Sequence, residues 1–339
     1  MSTNKIGLDI KSYGGSPSTL CTGCGHDSIS NHISQACFQS DIHPSEVAKM
    51  SGIGCSSKIP AYFMSGSFSF NSMHGRMAPL ATGAKVAQPN LYYLGISGDG
   101  DSANIGIGGF IHLMRRNLPI CYISANNGVF GLTKGQFSAT ADLNAKNKSG
   151  TINPFQSVDL CSLALESGCT FVARSFSGDG KQLVPLIKAA LKHKGTAFID
   201  VISPCITFNN HDGSTKSYTY VKEHDVVLQE LGFIAPQEEI LVDYNEGETT
   251  SVTLVDGSRL TLKKLDSKAH DVQNKNQASE LLRSSRESGK ILTGLFYVDE
   301  TQDTLVDKLN MSSTPLAQLQ EKDLRPQAHD LQKILKTFK

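Results

Sequence analysis

Two apolar runs organise the first half of the chain. Leu91-Tyr92-Tyr93-Leu94-Gly95-Ile96-Ser97 and Ile120-Cys121-Tyr122-Ile123-Ser124 show no alternation of polar and apolar positions. Strands read this way when both faces are covered, as in a parallel sheet held between layers of helices. Between the runs, Ile105 to Arg116 has helical spacing, and Leu118-Pro119 predicts where it stops. The same alternation predicts helices over Asp27 to Phe38, Asp159 to Ser167 and Lys181 to Leu191. It predicts strands at Val47 to Met50, Phe171 to Ala173 and Ala197 to Val201. Met73 to Val86 carries Pro79 and splits into a loop and a helix, and Lys134 to Thr151 is polar and reads as a surface loop. These βα units predict an α/β fold, a mainly parallel sheet with helices on both faces.

After Cys205 the pattern changes. Ser251 to Val255 and Arg259 to Leu262 flank Asp256-Gly257-Ser258, a hairpin signal. Asp266 to Glu287 is polar and helical from Ala278, Ile291 to Val298 is a last strand, and Ser312 to Lys339 is a polar tail with helical tendency. Residues 1–205 hold 16 Lys/Arg and 11 Asp/Glu, against 16 and 21 in residues 206–339, so the second part is the more solvated and is net acidic. The expected organisation is an arm (1–20), a core (21–205) and a polar C-terminal extension with the hairpin (206–339). Net charge is zero and the pI is about 7.1, which gives no bulk nucleic-acid or membrane footprint. No apolar stretch has transmembrane length, and residues 1–10 lack a signal-peptide core. The expected address is the cytoplasm, where the eight cysteines stay reduced.

Candidate chemistry sits at the ends of the two runs. Gly98-Asp99-Gly100-Asp101 places carboxylates in a glycine turn, and Asn126-Asn127 follows one helix and one strand later. A carboxylate and an amide oxygen at the carboxyl ends of adjacent strands suit a diphosphate held through Mg²⁺. Two ordinary βα turns would have the same sequence. Cys21, Cys24, Cys55 and Cys205 stand in loops beside glycine or proline, whereas Cys37, Cys121, Cys161 and Cys169 lie within apolar patterns and read as core. Spacing alone leaves an iron–sulfur cluster, a zinc ion and coincidence open for the first four.

In combination these motifs resemble the β subunit of 2-oxoacid:ferredoxin oxidoreductases from about Leu20 to Tyr220, and more faintly on to Tyr297. The match rests on Cys21-Thr22-Gly23-Cys24-Gly25-His26, Gly52-Ile53-Gly54-Cys55-Ser56, His74-Gly75-Arg76, the Gly98–Asp101 turn, Arg115-Arg116-Asn117 and Gly131-Leu132-Thr133-Lys134-Gly135-Gln136. The resemblance implies thiamine diphosphate, with Mg²⁺ on Asp99, Asn127 and the Val129 carbonyl, and one [4Fe–4S] cluster on Cys21, Cys24, Cys55 and Cys205. It implies cofactor contacts from Ile53, Gly54, Cys55, Ser56, His74, Gly98, Asp99, Gly100, Asp101, Asn127, Gly131, Leu132 and Thr133. It also implies a ferredoxin acceptor, coenzyme A and an α subunit, typically in an α₂β₂ assembly, because no second thiamine-type domain is legible in this chain. Lys58 and Lys134 closely follow cofactor motifs, where a point charge suits the distal carboxylate of 2-oxoglutarate or a coenzyme A phosphate. Thr207 to Tyr218 also resembles the 2-oxoglutarate branch, whose reaction gives succinyl-CoA, CO₂ and reduced ferredoxin, or runs in reverse. The competing expectations are a pyruvate or broad 2-oxoacid enzyme, a non-redox thiamine enzyme and a zinc-stabilised scaffold.

Overall fold

The structure, a computed structural model, describes residues 3–235, 249–264 and 270–338. In chain order the first elements are helix α1 (Gly25–Gln39), strands β1 (Val47–Ser51) and β2 (Phe68–Asn71), helix α2 (Met77–Ala87), strand β3 (Tyr92–Gly98), helix α3 (Ile107–Arg115) and strand β4 (Ile120–Asn126). A short hairpin of β5 (Val129–Phe130) and β6 (Gln136–Phe137) follows, then α4 (Leu160–Glu166), β7 (Phe171–Phe176), α5 (Gly180–Lys192) and β8 (Thr196–Ile202). The C-terminal part adds α6 (Tyr218–His224), β9 (Asp225–Val227), β10 (Gln229–Ile234), β11 (Thr249–Thr253), β12 (Arg259–Lys264), α7 (Lys275–Glu287) and β13 (Ile291–Val298).

Eight strands form one sheet in the order β2-β1-β3-β4-β8-β7-β13-β9. All pairings in it are parallel except β13 on β7, so the predicted α/β class holds. Strands β4, β7 and β8 are buried at every position, which is why their sequences do not alternate. One apolar core joins the sheet to α1 and α5 through Ile29, Ile33, Leu183 and Ile187. A second core covers the other face through Phe110, Leu113, Leu165 and Leu282, with the Phe110 ring edge-on to Tyr122 and Phe198 at 5.4 and 5.2 Å. Removing a ring such as Phe110 would cost about 3–5 kcal/mol.

Beyond Cys205 the change in charge density coincides with no break in the main sheet, because β9 and β13 both belong to it. The expected hairpin is β11 with β12, and β10 adds a third strand on the far side of β12. The opening of the polar stretch from Asp266 lies outside the described residues, as does residue 339. Helix α7 starts at Lys275, earlier than Ala278, because the Asn274 side chain caps it by accepting from the Gln277 N–H. Two further expectations are corrected. Winding before α3 begins at Asp101 rather than Ile105, in one wide turn over Asp101–Ile105. The Lys134 to Thr151 segment is not a surface loop throughout, since Ser138, Thr140, Ala141 and Ala145 are buried. Among the described residues, no helix is long and apolar enough to cross a membrane.

Candidate functional site

Strands β3 and β4 are parallel neighbours with Gly98 opposite Ala125, so the turns that leave their carboxyl ends meet. Asp99 stands in the first turn and is buried. Its Oδ1 accepts from the Asn127 N–H at 3.2 Å. Its Oδ2 accepts from the Gly128 N–H at 3.1 Å, from Thr140 Oγ1 at 2.6 Å and from Ser138 Oγ. Gly128 has φ +76°, a left-handed conformation suited to glycine, and this bend aims two successive backbone donors at one carboxylate. A carboxylate has about four lone-pair sites. The bonds crowd on Oδ2, so Oδ1 retains capacity for a further partner. Asn127 Oδ1 accepts from the Val129 N–H at 3.0 Å, and Asn209 Nδ2 donates to the Asn127 backbone oxygen at 2.7 Å.

Asp101, also buried, ties the preceding loops to this turn. Its Oδ2 accepts from the Ile53 N–H at 3.0 Å, and its Oδ1 lies 2.5 Å from His74 Nδ1. The Phe130 ring closes on Gly100 so tightly that a Cβ there would stand 2.4 Å from ring carbons. One cavity results. Ile53, Gly54, Cys55, Ser56 and His74 line it from the first loops, and Gly98, Asp99, Gly100 and Asp101 from the turn after β3. Asn127, Val129, Gly131, Leu132 and Thr133 line it from the segment after β4. The fold therefore gathers at one place the residues named above for the diphosphate cofactor and its cation.

At Gly131 the cavity meets the cysteines. A Cβ on Gly131 would stand 3.5 Å from Cys55 Sγ and 3.7 Å from Cys205 Sγ, so both sulfurs flank one residue. The Cys24 N–H donates to the Cys21 carbonyl at 2.9 Å, and the Gly25 N–H reaches the Pro204 carbonyl at 3.3 Å, which presses the first pair against the Cys205 loop. Burial pushes the Cys24 thiol up to about 12, and negative charge at Cys205 and Cys55 adds to the shift. Burial likewise raises Cys55, with Cys205 and Cys21 adding to it and Lys58 opposing. The four sulfurs thus share one electrostatic neighbourhood. Among the described residues, however, no three His, Cys, Asp or Glu side chains are grouped tightly enough for a single metal ion. Cys37, Cys121, Cys161 and Cys169 are buried in the core, as their apolar surroundings predicted.

The two lysines do not line the cavity. Lys58 is half-buried beside Cys55, with Nζ 3.4 Å from Thr19 Oγ1. Lys134 is exposed, directly after Thr133, with φ +78°, a conformation rare for a side chain of this size. Sequence reasoning missed four participants. His26 lines the cavity, is buried with Nδ1 2.6 Å from Ser203 Oγ, and is lowered by burial to about 4, so it is neutral at pH 7. Its place two residues after Cys24 was the available signal. Phe130 lines the same cavity, and Ser138 and Thr140 support Asp99 from a segment whose composition reads as loop.

Comparison with known proteins agrees with this geometry. The family model described as "Thiamine pyrophosphate enzyme, C-terminal TPP binding domain" matches residues 52–201. The chain is 44% identical over 205 residues to the 2-oxoacid:ferredoxin oxidoreductase subunit beta of Saccharolobus solfataricus, covering 58% of this chain and 65% of that relative. It is 36% identical over 230 residues to the 2-oxoglutarate synthase subunit KorB of Methanocaldococcus jannaschii, covering 66% of this chain and 83% of the relative. Among solved structures, the 2-oxoglutarate:ferredoxin oxidoreductase of Magnetococcus marinus, with 2-oxoglutarate, coenzyme A and succinyl-CoA bound, superposes with a TM-score of 0.75 at 29% identity. That alignment covers 98% of this chain and 96% of the other.

Proposed function

Since the chain belongs to the β subunits of the 2-oxoacid:ferredoxin oxidoreductases, we propose that with an α subunit it converts 2-oxoglutarate and coenzyme A to succinyl-CoA and CO₂. The electron pair released passes to ferredoxin one electron at a time, and reduced ferredoxin drives the reverse carboxylation. The Methanocaldococcus and Magnetococcus relatives are named for 2-oxoglutarate. The Saccharolobus relative is named only for a 2-oxoacid, which favours a broader substrate range as the second reading.

Thiamine diphosphate supplies the electron sink that lets CO₂ leave. Asp99 Oδ1, Asn127 Oδ1 and the Val129 carbonyl offer the hard oxygen set that Mg²⁺ prefers. Asp101 holds the Ile53 N–H and His74, and so fixes the shape of the cofactor-facing loop. Burial of His26 keeps an uncharged imidazole on the cavity wall. Cys21, Cys24, Cys55 and Cys205 suit the wide cage of a [4Fe–4S] cluster, whose positive iron core would hold them as thiolate ligands. The carboxylate that polarises the aminopyrimidine comes from the α subunit, in an α₂β₂ assembly. Lys134, beside the cavity-lining Thr133, supplies positive charge for the distal carboxylate of the substrate, and Lys58 adds charge on the cysteine side.

The observation that carries this reading is the shared boundary at Cys55 and Gly131, where the carboxylate cavity and the cysteine group touch. The test is anaerobic co-expression with the α subunit, followed by coenzyme A-dependent viologen reduction with 2-oxoglutarate, pyruvate and other 2-oxoacids. Reduction that is fastest with 2-oxoglutarate supports the proposal. Equal rates favour the broader enzyme, and no reduction with any 2-oxoacid overturns both.

A further inference from the structure

Resting on that reading, we propose that Ser138 and Thr140 are positioning residues for the cation, because their hydroxyls occupy Asp99 Oδ2 and leave Oδ1 to the metal. Both side chains are buried, although they come from a stretch whose polar composition predicts solvent exposure. Isolated hydroxyls are costly to bury, so their partners define their role. Ser138 Oγ bonds Asp99 Oδ2, and Thr140 Oγ1 approaches the same oxygen at 2.6 Å. The segment is pinned there by its backbone. The Ser138 N–H donates to the Gly128 carbonyl at 3.1 Å, and the Ala139 N–H to Asn104 Oδ1 at 2.6 Å.

The distribution of donors gives the arrangement its direction. With the Gly128 N–H, the two hydroxyls place three donors on Oδ2, while among the described residues Oδ1 receives the Asn127 N–H alone. Donors to a carboxylate make charge-assisted bonds, roughly twice as strong as neutral ones. They stop the group rotating to exchange its oxygens. The support continues inward. Thr140 Oγ1 lies 3.0 Å from Asn126 Oδ1, Asn126 Nδ2 donates to Asp200 Oδ1 at 3.0 Å, and Arg174 Nε donates to Asp200 Oδ2 at 3.0 Å. The single Thr140 hydroxyl proton goes to Asp99 Oδ2, and its oxygen faces the Asn126 amide, which is itself held by the buried Arg174–Asp200 pair of β7 and β8. A residue whose sole role is to fill space would not need its hydroxyl.

The test is Mn²⁺ binding by the full αβ complex, stripped of metal and supplied with thiamine diphosphate, since oxygen sites that suit Mg²⁺ also take Mn²⁺. Removing a partner that orients a metal ligand costs about 10- to 100-fold in affinity. That loss is expected for Thr140→Val and Ser138→Ala, with iron content per complex unchanged. Thr140→Ser, which keeps the hydroxyl, should bind as the wild type does, and it carries the test together with Ser138→Ala if Thr140→Val fails to fold. Wild-type affinity in the hydroxyl-deleted variants would overturn the proposal, as would equal losses in Thr140→Ser and Thr140→Val. Absence of cofactor-dependent Mn²⁺ binding in the wild type would instead overturn the cofactor assignment on which the proposal rests.

Discussion

Replacing Arg174 by methionine probes the electrostatic support beneath the site. Arg174 lies in β7, and its Nε donates to Asp200 Oδ2 at 3.0 Å and its Nη2 to Asp159 Oδ2 at 2.5 Å. At an effective dielectric constant of about 20, each contact amounts to about 5–7 kcal/mol of gross attraction. Desolvation of three buried charges cancels most of that. Arg174→Met removes only the cation and leaves two carboxylates behind, which costs about 3–5 kcal/mol. At roughly 2–4 °C per kcal/mol, Tm should fall by about 10 °C at pH 7. The pH dependence gives a sharper test. Burial opposes ionisation of Asp159, but Arg174 and the Ser162 N–H outweigh it and hold the carboxyl below its usual range. Its stabilising contribution is therefore present above the unfolded carboxyl pKa of about 3.9 and is lost as pH falls through the lower folded value. Asp200 behaves in the opposite way. Burial raises it despite Arg174, so its contribution is present below the unfolded pKa and is lost as pH rises through the folded one. Without Arg174 both carboxyls shift upward, so the deficit should be widest at neutral pH and narrow as the solution is acidified. Calorimetry of wild type and variant at matched complex concentration measures both effects. Equal stability at pH 7, or a deficit that widens in acid, would refute the reasoning.

Three further outcomes follow from the same geometry. Cys205→Ala should strip iron and acid-labile sulfide from the complex while thiamine diphosphate still binds, as read by metal analysis and titration. Gly100→Ala drives a Cβ to 2.4 Å from the Phe130 ring, and an overpacking cost of about 1–3 kcal/mol should weaken thiamine diphosphate binding by about tenfold or more. Lys134→Ala should lower kcat/KM for 2-oxoglutarate about 10- to 100-fold, as loss of a charged hydrogen bond of about 1.5–3 kcal/mol would, and pyruvate should be much less affected.

The central sheet was legible because complete burial removes alternation. The apolar runs now seen as β3 and β4 could only be covered strands, and their glycine- and asparagine-rich ends marked where ligands gather. Strand β2 gave no such signal, since it lies at the sheet edge with all four side chains exposed. Strand β10 escaped because its register depends on β12, a pairing between segments distant in sequence. Within the site, Asp99, Asp101 and Asn127 stood out as polar residues at strand ends. Ser138 and Thr140 did not, because a hydroxyl that serves a buried carboxylate has the same sequence as one that faces water. The lysines show a different limit. Proximity to a motif along the chain did not bring Lys58 or Lys134 into the cavity lining.

The most direct test of the central claim is the visible absorbance of the anaerobic αβ complex on mixing with 2-oxoglutarate and coenzyme A, before any ferredoxin is added. If the Asp99 cavity and the four-cysteine group work as one redox unit, the iron–sulfur absorbance bleaches only when thiamine diphosphate and Mg²⁺ are present. A colourless complex, or a chromophore indifferent to substrate and cofactor, would contradict the account.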